Sequence, residues 1–224
     1  MNKQAEVVAL VEGPTERIFV EKLLAPWLGQ KNIFLTPIIL SKPGEKGGDV
    51  KFARAQRDIG LHLKQRRDTY LTLFIDYYGI KNDWPGYAEA KKQRDHRQKA
   101  EIMNTATREK VTALFADQKA ARRFIPYVAM FEFEALLFSS PAILARHLGV
   151  REKEVQSILD ECGEPEKIND SPASAPSKRL EALANRFGKT TTGIAVATEI
   201  GIANIRAQCP LFNAWLGALE QLGS

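Results

Sequence analysis

Four short apolar runs, each followed by a helical pattern, constrain the fold of this chain more than any other feature. The runs cover residues 7–11, 33–40, 70–75 and 124–131. The first, with the sequence VVALV, is apolar on both of its faces, as in a strand that is buried from two sides. Alternation of strands with helices predicts an α/β fold with a mainly parallel sheet flanked by helices.

The strand patterns end near residue 135, and helical patterns continue from there. Ser140 followed by Pro141 is typical of a helix start, and residues 163–177 form a polar stretch with three prolines. We therefore expect an α/β core over residues 1–138 and a helical extension over residues 139–224 packed on it. Phe212, Trp215 and Leu216 near the end are expected to close a core or to form a contact in a homo-oligomer.

Acidic side chains follow three of the predicted strands. Glu12 follows the first, with Glu16 one helical turn later; Asp76 follows the third, and Glu132 and Glu134 follow the fourth. Because ligands of parallel sheets bind at the carboxyl ends of the strands, we expect these side chains to converge there. Converging carboxylates repel one another unless a cation neutralises them. The pattern therefore predicts a site for Mg²⁺ or Mn²⁺, an ion suited to phosphodiester cleavage.

A structural role for these acidic residues is the main alternative. A single carboxylate after a strand is commonly a helix cap or a turn former. Glu132 and Glu134 share a face in an extended segment but not in a helix. The sequence leaves open whether both belong to the site or one is structural.

Positive charge is concentrated in the middle of the chain. Residues 51–123 carry 17 of the 32 Lys and Arg residues but 9 of the 27 Asp and Glu residues. Such a stretch either attracts phosphate backbones or forms solvated helix faces. The candidate nucleic-acid-binding residues are Lys51, Arg54, Arg57, Lys91, Lys92, Arg94 and Arg97.

Several other functions are not supported by the sequence. Gly188 and Lys189 resemble the end of an ATP-binding P-loop, but Leu183 occupies the place of its first glycine. The histidines and the two cysteines lack the spacing of a zinc site. The cysteine content and the lack of a signal peptide or a long apolar segment favour a cytoplasmic location. The Gly- and Lys-rich residues 41–48 are a candidate phosphate-binding loop.

Five motifs together resemble a known family. VEGPTE at residues 11–16 is similar to the VEGxTE signature of Toprim-type domains, which occur in topoisomerases, primases and overcoming-lysogenization-defect nucleases. The closer resemblance is to the bacterial family DUF4276, regarded as Toprim-like. The remaining motifs are FIDYYG at 74–79 with WPG at 84–86, FEFEALLF at 131–138, IND…APSKR at 168–179 and IR–CP–FN–W at 205–215.

The resemblance implies roles for individual residues. In Toprim enzymes the glutamate after the first strand is a general acid/base or metal ligand, and a later Asp-x-Asp binds Mg²⁺. Glu12 and Asp76 match the glutamate and the first aspartate. Tyr78 occupies the place of the second aspartate, for which Asp83, Glu132 and Glu134 are candidate replacements. Relatives are often encoded beside an ATPase of the ABC or AAA type in anti-phage defence loci, which implies such a partner.

Three functional hypotheses follow. The first is a Mg²⁺-dependent, Toprim-like nuclease acting on nucleic acid, with DNA favoured over RNA, in which Glu12 and Asp76 are catalytic. The second is a non-catalytic subunit that docks on an ATPase and regulates it. The third is phosphotransfer chemistry on a small nucleotide with the same metal. Tyr77 and Tyr78, beside the acidic residues, are expected to pack in the core or to stack on a substrate.

Overall fold

A single parallel sheet organises the fold. The computed structural model describes residues 4–41, 50–168, 171, 174–184 and 187–223. Within these ranges the strands are β1 (Ala5–Val11), β2 (Ile33–Ile39), β3 (Tyr70–Asp76) and β4 (Phe124–Ala129). They pair in the order β2-β1-β3-β4, and every pairing is parallel. The predicted α/β fold with a parallel sheet is thereby confirmed.

Helices flank the sheet and form most of the chain after β4. Several begin at a proline, whose missing N–H has no partner in the first helical turn in any case. Among the helices described, none combines the length and the apolar surface that a membrane crossing requires. The helices are α1 (Pro14–Phe19), α2 (Ala25–Gly29), α3 (Phe52–Gln65), α4 (Tyr87–Ala90), α5 (His96–Leu114), α6 (Ala120–Arg123), α7 (Pro141–Leu148), α8 (Glu152–Cys162), α9 (Pro176–Leu183), α10 (Ile194–Gln208) and α11 (Pro210–Glu220).

Side chains of the strands alternate between two apolar layers. On β1, Val7, Ala9 and Val11 face one layer, whereas Val8 and Leu10 face the other. The first layer includes α1, α2 and the helices that follow β4; the second includes α3 and α5. Burial on both faces explains why the first run of the sequence is apolar without interruption.

The C-terminal helices share the core with the sheet. Trp215 of α11 stacks on Tyr127 of β4 with ring centroids 4.6 Å apart, and its Nε1 donates a 2.8 Å hydrogen bond to Thr72 of β3. Phe212 packs near Phe19 of α1, and all five side chains are buried. Phe212 and Trp215 therefore close the core of this chain. The division of the chain at residue 138 stays a prediction.

Two segments differ from the sequence-based expectation. The fourth strand ends at Ala129 rather than at residue 131, because its partner β3 ends at Asp76, which pairs with Ala129. For residues 87–122 the helical pattern of the sequence predicts two helices, whereas the structure has one long helix, α5, with the short helices α4 and α6 on either side of it.

Glu166, within the expected polar stretch 163–177, is fully buried. Its two carboxylate oxygens accept 2.8 Å hydrogen bonds from the backbone N–H groups of Leu211 and Phe212, at the start of α11. Burial raises the pKa of Glu166 to about 7, although these hydrogen bonds and one from Tyr127 favour its charged form. Glu166 thus fastens the last helix to the segment after α8.

We predict that Glu166→Ala lowers the free energy of unfolding, because two buried N–H groups lose their acceptor. The loss should be about 2–4 kcal/mol at pH 5. The folded-state pKa lies above the ordinary value of 4.5, so the unfolded chain ionises first and the contribution of Glu166 falls as the pH rises from about 4.5 to about 7. Denaturant unfolding at pH 5 and pH 8 should therefore show a smaller loss at pH 8. Glu109→Ala, at an exposed position of α5, is the control and should change little; a pH-independent loss would contradict the assignment.

Candidate functional site at the carboxyl edge of the sheet

The strand order places Glu12 and Asp76 side by side. The chain passes from β1 to β2 on one side and then crosses to β3 on the other, so β1 and β3 flank the switch point where parallel sheets bind ligands. Val11, the last residue of β1, pairs with Phe74, two residues before the end of β3, so Glu12 lies beside the last residues of β3. The backbone N–H of Asp76 donates a 3.3 Å hydrogen bond to Glu12 Oε2. The two residues predicted to be catalytic are thus neighbours.

Gly79 lies directly against the Glu12 carboxylate. A Cβ atom at this position would lie 2.8 Å from both Glu12 oxygens, closer than real Cβ contacts. The segment after β3 therefore passes over the carboxylate without a side chain, and any larger residue here would displace Glu12.

Asp76 connects the ends of β3 and β4. Its Oδ1 accepts a 2.9 Å hydrogen bond from the backbone N–H of Phe133, between Glu132 and Glu134. Burial raises the pKa of Asp76 well above its ordinary value, and the negative charges of Glu16, Glu12, Glu134 and Glu132 raise it further, in that order of size. The other four sequence-predicted acidic residues therefore all act electrostatically on this one carboxyl group.

Glu16 and Glu132 also stabilise helix starts. Glu16 Oε2 accepts a 2.8 Å hydrogen bond from the N–H of Gly13, which caps α1. Glu132 accepts hydrogen bonds from the backbone N–H and the hydroxyl of Ser177, at 2.8 and 3.0 Å, in the first turn of α9. The capping role that the sequence left open thus applies to both residues.

Glu134 is buried and makes an ion pair. Its Oε1 lies 2.9 Å from Nζ of Lys189, whereas its Oε2 is buried with no hydrogen-bond partner. Burial raises the pKa of Glu134, and Lys189 opposes that rise. Partial burial acts to lower the pKa of Lys189, but the charges of Glu134, Glu132 and Asp76 outweigh it and raise the pKa. A carboxyl oxygen without a partner at this depth is a candidate ligand for a cation.

Lys189 is the site residue that sequence reasoning missed. It belongs to the π-helical turn Lys189–Gly193 that leads into α10, far along the chain from the strand ends. In the sequence it drew attention only as part of an incomplete P-loop. No periodicity or spacing places its ammonium group beside Glu134, since that contact depends on how the C-terminal helices pack on the sheet.

The carboxylate oxygens at the strand ends suit a hard cation, although they do not form a complete ligand shell of protein atoms. Carboxylate oxygens are the ligands that Mg²⁺ prefers, and it commonly takes one or two of them together with water. Within the described ranges, no group of three or more His, Cys, Asp or Glu side chains has the geometry to hold a metal ion. Glu12 and Asp76 are thus the minimal candidate pair, and the five-residue metal site stays a prediction.

The candidate nucleic-acid-binding residues differ in how near they lie to the carboxyl edge of the sheet. Lys51 precedes α3, and the bridge between Val50 and Ile80 holds the start of that helix near Gly79. Arg54 and Arg57 follow along α3, away from the edge, since each residue of a helix advances it by about 1.5 Å. Lys91, Lys92, Arg94 and Arg97 lie exposed before and at the start of α5.

Part of the positive charge is already neutralised or structural. Lys92 pairs with Glu89 at 2.7 Å and Arg97 with Glu164 at 2.8 Å. Arg123 is buried and donates hydrogen bonds to backbone carbonyls of Thr69 and Leu63, among others. The candidate phosphate-binding loop at residues 41–48 lies outside the described residues, apart from Ser41.

The contact between Lys189 and Glu134 yields a stability prediction. Lys189→Ala should lower the free energy of unfolding by about 1–3 kcal/mol, because it leaves the buried Glu134 carboxylate without its counter-charge. Glu134→Gln in the same chain should restore most of that loss, which a double-mutant cycle measured by urea unfolding would detect. The control is Lys178→Ala, which removes an exposed ion pair with Glu181 and should cost little. Strictly additive effects of the two site substitutions would contradict the pairing.

Comparison with known proteins gives a family but no characterised relative. No curated protein and no solved structure matches the chain. The model of one family, described as a domain of unknown function (DUF4276), matches residues 11–220. The match begins next to Glu12 and includes Asp76, Glu134 and Lys189, so all the elements of the candidate site fall within it. The chain therefore belongs to the DUF4276 family.

Proposed function

We propose that this protein is a Toprim-like nuclease that cleaves nucleic acid, with DNA favoured as the substrate, and that it depends on Mg²⁺ or Mn²⁺. The observation that carries the proposal is the position of Asp76 at the switch point of the sheet. Its carboxyl group is hydrogen-bonded to the segment after β4, is next to Glu12, and is subject to the negative charge of four glutamates. A divalent cation would relieve that repulsion.

Glu12 and Asp76 are the residues that would hold the ion, and Glu134 offers its unpartnered Oε2 as a further oxygen. When bound, the ion would polarise a phosphoryl oxygen and lower the pKa of a coordinated water. Gly79 carries no side chain that would displace the Glu12 carboxylate, and Glu12, which is partly exposed, would accept a proton in the reaction. Glu16 and Glu132 add negative charge while they anchor α1 and α9.

Positive side chains at the same edge suit a polyanionic substrate. Lys189 places an ammonium group, about half exposed, beside Glu134. Lys51, just before α3, and the exposed Lys91, Lys92, Arg94 and Arg97, before and at the start of α5, would contact phosphates on either side of the scissile bond. The proposal also includes a cytoplasmic role in anti-phage defence together with an ABC- or AAA-type ATPase, which the family resemblance implies.

A second candidate function is supported by the caps at the site. Because Glu16 and Glu132 satisfy helix starts, and because Tyr78 stands where Toprim enzymes carry a second aspartate, the acidic cluster can be understood as structural. In that case the protein is a non-catalytic subunit that docks on an ATPase. Co-purification with such an ATPase, without metal-dependent cleavage by the chain or the complex, would select this function over the first.

We predict that Glu12→Gln and Asp76→Asn each reduce Mg²⁺-dependent cleavage by about 100-fold or more, because each removes a charged oxygen donor with little change of shape. The measurement is the cleavage rate of labelled DNA and RNA oligonucleotides in Mg²⁺, Mn²⁺ or EDTA. Glu101→Gln, at an exposed position of α5, is the control and should cleave at the wild-type rate. Equal cleavage by wild type and both site variants would contradict the proposal.

A steric variant tests the same carboxylate without removing it. Gly79→Ala should reduce cleavage strongly, since the new methyl group pushes the Glu12 carboxylate aside. The far end of a glutamate side chain moves easily, so the unfolding midpoint should change little. Wild-type cleavage by a folded Gly79→Ala variant would argue against a role for Glu12 in its observed position.

A further inference from the structure

A cleft adjoins the acidic site on the side of β3 and α3. It has a volume of about 620 Å³, within the range of small-ligand clefts. We call it the tyrosine cleft; its lining includes Lys51, Tyr78, Ile80, Lys81, Asp83 and Tyr87.

The cleft is continuous with the acidic site through the chain that follows β3. Tyr78 and Ile80, which line it, are the two neighbours of Gly79, where a Cβ atom would lie 2.8 Å from both oxygens of the Glu12 carboxylate. The N–H of Tyr78 donates a 3.1 Å hydrogen bond to the carbonyl of Phe131, and the N–H of Val50 donates one of 2.9 Å to the carbonyl of Gly79. A ligand in the cleft would therefore contact the residues on either side of Gly79, which lies against Glu12.

The lining combines aromatic rings with cations. Tyr78 and Tyr87 are partly exposed, Lys81 is partly exposed, and Lys51 is exposed. Tyr87 is supported from behind by Tyr77, with ring centroids 5.8 Å apart. With Asp83 as the one acidic residue among those named, Lys51 and Lys81 leave the cleft with a net positive charge.

These features match the chemistry of an unpaired nucleotide. A base has a flat face that stacks on an aromatic ring, and its phosphates attract lysine ammonium groups. A base within a duplex is stacked on both faces and cannot enter a cleft of this kind without leaving the helix.

We propose that the tyrosine cleft binds the unpaired nucleotide next to the scissile phosphate, so that the substrate is a single-stranded segment such as an end, a flap or a loop. This inference rests on the proposed nuclease function and specifies its substrate. Tyr87 supplies the stacking surface, and Lys51 and Lys81 hold the adjoining phosphates. The cleft thereby determines which nucleic acid reaches Glu12 and Asp76.

The test measures binding without cleavage. Fluorescence anisotropy of a labelled single-stranded oligonucleotide, and of the blunt duplex of the same sequence, is recorded in EDTA and again in Ca²⁺ with the full chain. Wild type should bind the single strand more tightly than the duplex. Tyr87→Leu should weaken single-strand binding about 10-fold, whereas Tyr87→Phe, which keeps the ring, should bind as wild type does.

The role of the lysine charges is tested separately with substitutions of Lys81 and Lys110. This test remains informative if Tyr87→Leu fails to fold. Lys81→Gln should weaken single-strand binding, whereas Lys110→Gln, at an exposed position towards the far end of α5, should not. Equal affinity for duplex and single strand, no binding in either buffer, or an equal loss of affinity in Tyr87→Phe and Tyr87→Leu would overturn the inference. Binding that depends on the Tyr87 ring, without any metal-dependent cleavage, would support nucleotide binding in the tyrosine cleft and refute the nuclease function. Cleavage that requires Asp76 but not the Tyr87 ring would support the nuclease function and refute nucleotide binding in the cleft.

Discussion

Repulsion between carboxylates at the end of β3 is the interaction on which the account of this protein depends. Asp76 is held there by the strand pairing and by its hydrogen bond from Phe133, so it cannot move away from Glu12. Four glutamates raise its pKa in addition to the effect of burial. A fold that retains such an arrangement bears a cost in stability, which a bound cation can offset.

The C-terminal helices complete this edge as well as the core. Trp215 and Phe212 fix α11 against the sheet, and Glu166 fastens the start of that helix. The same part of the chain supplies Lys189 to the buried Glu134 and Ser177 to Glu132. The site is therefore formed by the first strands together with the last third of the chain, so the helices that follow β4 are part of the candidate functional unit.

The sequence predicted those features that follow from local pattern. Uninterrupted apolar runs predicted the parallel sheet. Because Glu12 and Asp76 directly follow two of these runs, the pattern also predicted that they lie close together. It could not separate the roles of Glu132 and Glu134, because the chain turns there into a 3₁₀ segment that sends them to different partners. The role of Lys189 was not predicted, because its contact with Glu134 joins residues that are far apart in the sequence. Arg123 was counted with the surface charge, although it is buried against backbone carbonyls.

Thermal unfolding with and without divalent metal tests the central claim most directly. The claim predicts that Mg²⁺ or Mn²⁺ raises the unfolding midpoint of the wild-type chain above that in EDTA at matched ionic strength, because the ion binds the folded carboxylates. Asp76→Asn should be at least as stable as wild type in EDTA, since it removes repulsion, and should lose most of the response to metal. An unchanged wild-type midpoint, or an equal rise in the variant, would contradict the account.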